Sequence, residues 1–113
     1  MTIYALSSGS GVSGIAVIRV SGKKTIEVIR KLTDGNFPKP RVATLKKFNK
    51  NGKKEMIDEG VILWFPGPDS YTGEDLAEFH VHGSRAVIDA MHGAISKVKT
   101  CRLAEPGEFT KRA

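Results

Sequence analysis

The chain has 113 residues, which suits a single domain, and its 40% hydrophobic and 27% charged residues are ordinary for a globular protein. No run reaches the ~18 apolar residues of a membrane span, and the first residues lack the pattern of a signal peptide, so we expect a cytoplasmic protein without membrane contact. A single cysteine, Cys101, excludes an internal disulfide and a Cys-rich zinc site. The formal net charge of +6 permits an anionic partner but does not identify one.

The first half of the chain predicts three strands and one helix. A short apolar stretch at 3–6 is followed by a Gly- and Ser-rich loop, and the β-branched run at 15–20 predicts a buried strand. Apolar residues at helical spacing predict a helix over 25–32. A further strand is predicted over 41–48, and the Asn-Gly pair at 51–52 supplies the positive φ that a hairpin turn needs.

The second half predicts two long strands, a helix and a short strand. The strand over 56–65 ends in five apolar residues, which is typical of a strand inside a sheet. A strand over 75–82, a helix over 85–98 and a short strand over 101–104 follow, with a helix start at 105–109. This order predicts an α+β domain with a mixed sheet and helices on one face. Because a helix starts so near the last residue, we expect the chain to be a fragment of a longer protein.

The glycine motif Gly9-x-Gly11-x-x-Gly14 matches the dinucleotide-binding fingerprint only in its letters. In that fingerprint a helix follows the third glycine and its amides hold the pyrophosphate, whereas strand-like sequence follows here. A loop of this composition still permits close approach of the backbone to a ligand.

Charged side chains interrupt two of the apolar strands. Arg19 is either solvent-exposed at an edge of the sheet or a clamp for a carboxylate or phosphate. Glu78-x-His80-x-His82 places three side chains on one face of a strand. These side chains belong to a zinc site or to the polar face of a sheet, or the Glu78 carboxylate binds a ligand amide or amine.

Lysines cluster on the predicted hairpin, at Lys46, Lys47, Lys50, Lys53 and Lys54. In one interpretation they keep a solvated edge strand from pairing with other chains. In the other they contact a nucleic-acid backbone, as a stand-alone basic α+β RNA-binding module would.

Three segments together resemble the N-terminal domain of the MnmE (TrmE) family of tRNA-modification GTPases. They are Ser10–Gly22, Pro66–Asp75 with Glu78 and His82-Gly83 after it, and Ala104–Ala113. The resemblance spans nearly the whole chain, so it identifies residues 1–113 as one N-terminal domain.

The resemblance implies a homodimer that binds a tetrahydrofolate derivative, 5-formyl-tetrahydrofolate, on a fold similar to the folate-binding domain of glycine-cleavage T-proteins. Whole members of the family add a helical domain and a GTPase domain, which binds GTP and Mg and is stimulated by K. With the FAD-dependent partner MnmG (GidA), they add an aminomethyl or carboxymethylaminomethyl group to C5 of the wobble uridine in tRNA. Since these 113 residues contain no GTPase motif, we expect neither GTP hydrolysis nor tRNA modification from them alone.

The resemblance also assigns site residues. Arg19 and Glu78 match the folate-contacting Arg and Glu of the family. Glu78 would accept hydrogen bonds from the amino-pyrimidine edge of the pterin, and Arg19 would hold an acceptor or the folate carboxylate. The glycine-rich loop would contact folate through its backbone, at Ser10, Gly11 and Gly14. A folate-contacting Lys of the family follows the point where this chain stops, so we expect reduced affinity.

Overall fold

The computed structural model describes residues 1–7, 14–52 and 54–113, and its described part contains six strands and three helices. In chain order these are β1 (Thr2–Leu6), β2 (Ile15–Ser21), α1 (Thr25–Leu32), β3 (Thr44–Asn49), β4 (Met56–Phe65), β5 (Leu76–His82), α2 (Arg85–Ser96), β6 (Cys101–Leu103) and α3 (Glu108–Arg112). None of these helices is long and apolar enough to cross a membrane.

The strands form one sheet in the order β3-β4-β5-β2-β1-β6. Neighbours are antiparallel except for β1 and β6, which are parallel. The predicted α+β fold with a mixed sheet is therefore confirmed. The centre of the sheet is the pairing of β2 with β5, which runs in register from Ile15 opposite His82 to Ser21 opposite Leu76.

The hydrophobic core lies between one face of the sheet and the helices α1 and α2. Each helix buries the apolar side of its surface, with Val28, Ile29 and Leu32 from α1 and Met91 and Ile95 from α2. The strand residues that pack against the helices lie at every second position of a strand, and Ile18, Ile62 and Phe79 are examples from β2, β4 and β5. Removal of this apolar area from water is the main force that holds the helices on the sheet.

The face of the sheet opposite α1 and α2 is called the open face here. The alternation of strand side chains places Val17, Arg19, Leu63, Glu78 and His80 on it. α3 also binds on this side, where Arg102 Nη2 lies 2.6 Å from Glu108 Oε2. The expectation of helices on one face therefore holds for α1 and α2 and is wrong for α3, which an ion pair attaches to the other side.

α1 and β4 have the predicted bounds, and the other strands and α2 differ from the prediction by one to three residues. β3 begins at Thr44 and not at 41, because Arg41 has a φ of 62° and Pro40 forms an isolated bridge with Trp64. β5 begins one residue late, at Leu76, and the Asp75 carbonyl oxygen accepts a hydrogen bond from the Gly22 N–H at 3.0 Å beyond the end of β2. The predicted hairpin turn is confirmed, since Asn51 and Gly52 both have positive φ.

Candidate ligand-binding site on the open face

Arg19 and Glu78 lie directly opposite each other on the two central strands. Arg19 Nε donates to Glu78 Oε2 at 3.1 Å, and Glu78 Oε1 lies 3.1 Å from His80 Nε2. The side chains are 33% and 16% exposed for Arg19 and Glu78, so a ligand can still reach them. The alternative that Arg19 lies at an edge is wrong, because β2 is paired on both sides.

Tyr71 belongs to this cluster. It lies in the segment Pro66–Asp75 of the family resemblance, but the sequence does not assign it to the site. Its ring lies under the Arg19 guanidinium, whose carbon is 5.4 Å from the ring centroid. This is the geometry of a cation–π contact, and the ring remains half exposed. Among the described residues, none accepts a hydrogen bond from the terminal nitrogens of Arg19. The chemistry of a guanidinium suits a ligand carboxylate or carbonyl as its partner.

An open cavity of about 520 Å³ adjoins Arg19 on the open face. The end of β1 and the segment 103–110 form its walls, with Ala5, Ser7, Pro106 and Phe109 among the lining residues. The volume is within the range of pockets that hold small organic ligands. Arg19 is the member of the cluster that lines this space, and Glu78 and Tyr71 contact Arg19.

Hydrogen bonds join the three segments that carry the family resemblance. Ser21 Oγ donates to Glu74 Oε1 at 2.8 Å and lies 2.7 Å from Thr72 Oγ1. Arg112 donates to the same Glu74 oxygen at 3.0 Å and to the Met1 carbonyl oxygen at 3.0 Å. These contacts fix the loop that carries Tyr71 and attach α3 beside the cavity.

His82 does not join Glu78 and His80. Its ring Nδ1 lies 2.9 Å from Asp58 Oδ1, and its backbone N–H donates to Asp58 Oδ2. Burial raises the pKa of Asp58, but these hydrogen bonds outweigh it and hold the pKa below its usual value. In the part of the chain that the structure describes, no group of three His, Cys, Asp or Glu side chains could hold a metal ion. The zinc interpretation thus lacks its third ligand there.

The lysines of the hairpin do not form one continuous patch. Lys46 pairs with Asp34 at 3.4 Å on the helix side of the sheet, whereas Lys47 points to the open face. Lys50 pairs with Glu55 at 2.9 Å, and Lys53 lies outside the described residues.

The predicted backbone contacts of the glycine-rich loop are only partly within the structure. Ser10 and Gly11 lie outside the described residues. The carbonyl oxygen of Gly14 accepts a hydrogen bond from the Gly83 N–H at 3.1 Å, at the start of β2. Gly14 thus lies directly before β2, five residues before Arg19, and its contact with a ligand stays a prediction.

Comparison with known proteins supports one family. A family model described as the N-terminus of the GTP-binding protein TrmE matches residues 2–113. The tRNA modification GTPase MnmE of Pelagibacter ubique is 69% identical over 113 residues, which cover 100% of this chain and 26% of that protein. A mitochondrial 5-taurinomethyluridine-[tRNA] synthase subunit GTPB3 of Danio rerio is 51% identical over 99% of this chain and 22% of its own length.

A third relative extends the similarity to another eukaryote. The mitochondrial tRNA modification GTPase gtpbp3 of Dictyostelium discoideum is 52% identical over 118 residues, 99% of this chain and 23% of the relative. The chain therefore spans about a quarter of the length of the relatives that it matches.

Proposed function

The chain belongs to the family of TrmE N-terminal domains, and we propose on this basis that it is the ligand-binding and dimerising domain of a tRNA modification GTPase. The whole protein would act in the cytoplasm with an FAD-dependent partner of the MnmG (GidA) type. Together they would add an aminomethyl or carboxymethylaminomethyl group to C5 of the wobble uridine. GTP, Mg and K would bind to the GTPase domain of that protein.

The ligand that we propose is a tetrahydrofolate derivative, 5-formyl-tetrahydrofolate. The observation that carries this proposal is the accessible Arg19–Glu78 pair, whose arginine lines the cavity of about 520 Å³. A carboxylate held from one side by Arg19 and from the other by His80 keeps lone pairs for the amino-pyrimidine edge of a pterin. The terminal nitrogens of Arg19 suit the carboxylate or carbonyl groups of the same ligand.

The open face also supports homodimerisation. Leu45 and Ile15 lie on this face and are 66% and 59% exposed, and Val61 and Leu63 between them are half buried. A neighbouring copy that covered this face would remove apolar area from water, as interfaces between identical subunits do. Such a dimer would place the Arg19–Glu78 pair near the subunit boundary.

Calorimetric titration with 5-formyl-tetrahydrofolate tests the ligand. We expect one ligand per chain and at least about tenfold weaker binding by Glu78→Gln, because a charged hydrogen-bond acceptor is lost. Glu55→Gln is the matched control, since it removes a carboxylate from the exposed pair with Lys50 on the hairpin. Its affinity should equal that of the wild type.

Unchanged affinity in Glu78→Gln would remove Glu78 from the site. If the wild type binds no folate, the same titration is repeated with a chain extended to the downstream Lys. Absence of folate binding by both chains would refute 5-formyl-tetrahydrofolate as the ligand. A stand-alone RNA-binding module would instead bind RNA with steep salt dependence and leave folate unbound.

A further inference from the structure

The positive charge of this chain is concentrated in three segments. Residues 22–34, 50–55 and 84–100 contain ten of the 18 Lys and Arg but only four of the 12 Asp and Glu. They therefore carry the whole formal net charge of +6, and the remaining residues, with eight basic and eight acidic side chains, are neutral in sum.

The fold brings the described residues of these three segments, all but Lys53, together on the helix side of the sheet. The first contains α1, the third contains α2, and the second is the tip of the hairpin between β3 and β4. The Gly52 N–H donates to the Lys31 carbonyl oxygen at 3.0 Å, which ties the hairpin tip to the end of α1. Lys50 and Asn51 border a shallow cavity of about 200 Å³ against Ala90, Gly93 and Lys97 of α2 and its end.

The surface of this cavity is open. Lys97 is one of its cations, and the other, Lys50, is paired with Glu55 at 2.9 Å. A Cβ atom added at Gly93 would meet no atom within 4 Å, so a bulky chain can approach α2 there. Lys31, Lys97 and Lys99 are exposed, and no acidic side chain of the described residues lies within ion-pair distance of them. An extended polyanion would therefore bind without first breaking ion pairs at these positions.

We infer that this helix-side surface binds the phosphodiester backbone of RNA. The inference rests on the proposed role in tRNA modification but not on folate binding, because the Arg19–Glu78 pair lies on the opposite face of the sheet. The three segments contain no Phe, Tyr or Trp, and the exposed Phe37 lies beside them, with its ring centroid 5.9 Å from the Arg30 guanidinium carbon. Their lysines, on helices and a hairpin tip, fit backbone contacts that position an RNA and do not read its sequence. Ligand and RNA would occupy opposite sides of the domain.

The test compares two triple variants with the same change in net charge. One replaces Lys31, Lys97 and Lys99 by Gln on the helix side; the control replaces the exposed Lys39, Lys47 and Lys111, which lie outside the three segments. Binding of a tRNA transcript is followed by fluorescence anisotropy from low to moderate salt. The helix-side triple should bind at least about tenfold more weakly at low salt, with a salt slope smaller by about 2, and the control should change less than about twofold.

Several results would overturn the inference. They are the absence of tRNA binding by the wild type, equal weakening in both triples, or displacement of the tRNA by polyglutamate at the same concentration of charge. Folate titration of the same variants separates this inference from the proposed ligand. Normal folate binding with unaltered RNA binding in the helix-side triple would refute the surface alone. Normal RNA binding with no folate bound, either by the wild type or by the chain extended to the downstream Lys, would refute the ligand alone.

Discussion

At the scale of single residues, the informative contact is that of Tyr71 with Arg19. The guanidinium is held between the Tyr71 ring and the Glu78 carboxylate, so its donors are fixed before a ligand arrives. We expect Tyr71→Leu to weaken folate binding about threefold to tenfold, because a leucine offers no π face to Arg19 or to the planar pterin. Tyr71→Phe should bind like the wild type, since the ring is kept. Calorimetric titration of both variants measures the difference.

The half-exposed position of Tyr71 provides the control for that experiment. Because the ring is not part of the core, thermal unfolding of Tyr71→Leu should stay close to that of the wild type. Full affinity in Tyr71→Leu, or equal losses in Tyr71→Leu and Tyr71→Phe, would show that the ring face has no role in binding.

The sequence identifies some residues of the candidate site and not others. Arg19 and Glu78 could be singled out because a charged side chain in an apolar strand needs a partner, and the structure pairs them. Tyr71 could not, because it lies in a loop that has no periodicity to show where a side chain points. Its proximity to Arg19 depends on a path of 52 residues through the fold.

At the scale of elements, α3 is attached to the sheet by ion pairs and not by a buried apolar face. The hydrogen bonds from Arg102, joined by the Glu105 N–H, lower the pKa of Glu108 from its usual 4.5 to about 2. A lowered pKa means that the carboxylate stabilises the folded state above pH 4.5 and that this contribution disappears as the pH falls towards 2. We therefore expect the urea midpoints of the wild type and Glu108→Gln to differ at pH 6, and this difference to shrink steadily below pH 4.5 until little of it remains at pH 2.

The control for α3 is Glu27→Gln, which removes an exposed pair with Lys24 at 3.6 Å. Exposed pairs of this kind contribute little, so its midpoint should lie near that of the wild type at pH 6. A difference in urea midpoint between the wild type and Glu108→Gln that stays constant from pH 6 to pH 2 would contradict the lowered pKa of Glu108. The side on which α3 binds was not predictable, because Arg102 and Glu108 form their pair only after β6 joins β1.

At the scale of the whole molecule, the elements follow from local patterns but their order in the sheet does not. Hydrophobic spacing is local, and it predicts each strand and helix within a few residues. The order β3-β4-β5-β2-β1-β6 depends on pairings such as that of β2 with β5, about 60 residues apart. The same long-range pairings separate a basic helix side from an open face with apolar residues and the Arg19–Glu78 pair, a division that no single stretch of sequence displays.

This division predicts how two copies meet. Repulsion between basic surfaces disfavours contact through the helix side, whereas Leu45 and its neighbours on the open face gain from being covered. We expect a dimer of about 25 kDa, twice the mass of the 12.3 kDa chain, in sedimentation velocity, and a shift to monomer in Leu45→Glu. Ala86→Glu adds the same charge on exposed α2 and should remain dimeric. A wild type that stays monomeric at high concentration, or a dimer that tolerates Leu45→Glu but not Ala86→Glu, would place the interface elsewhere.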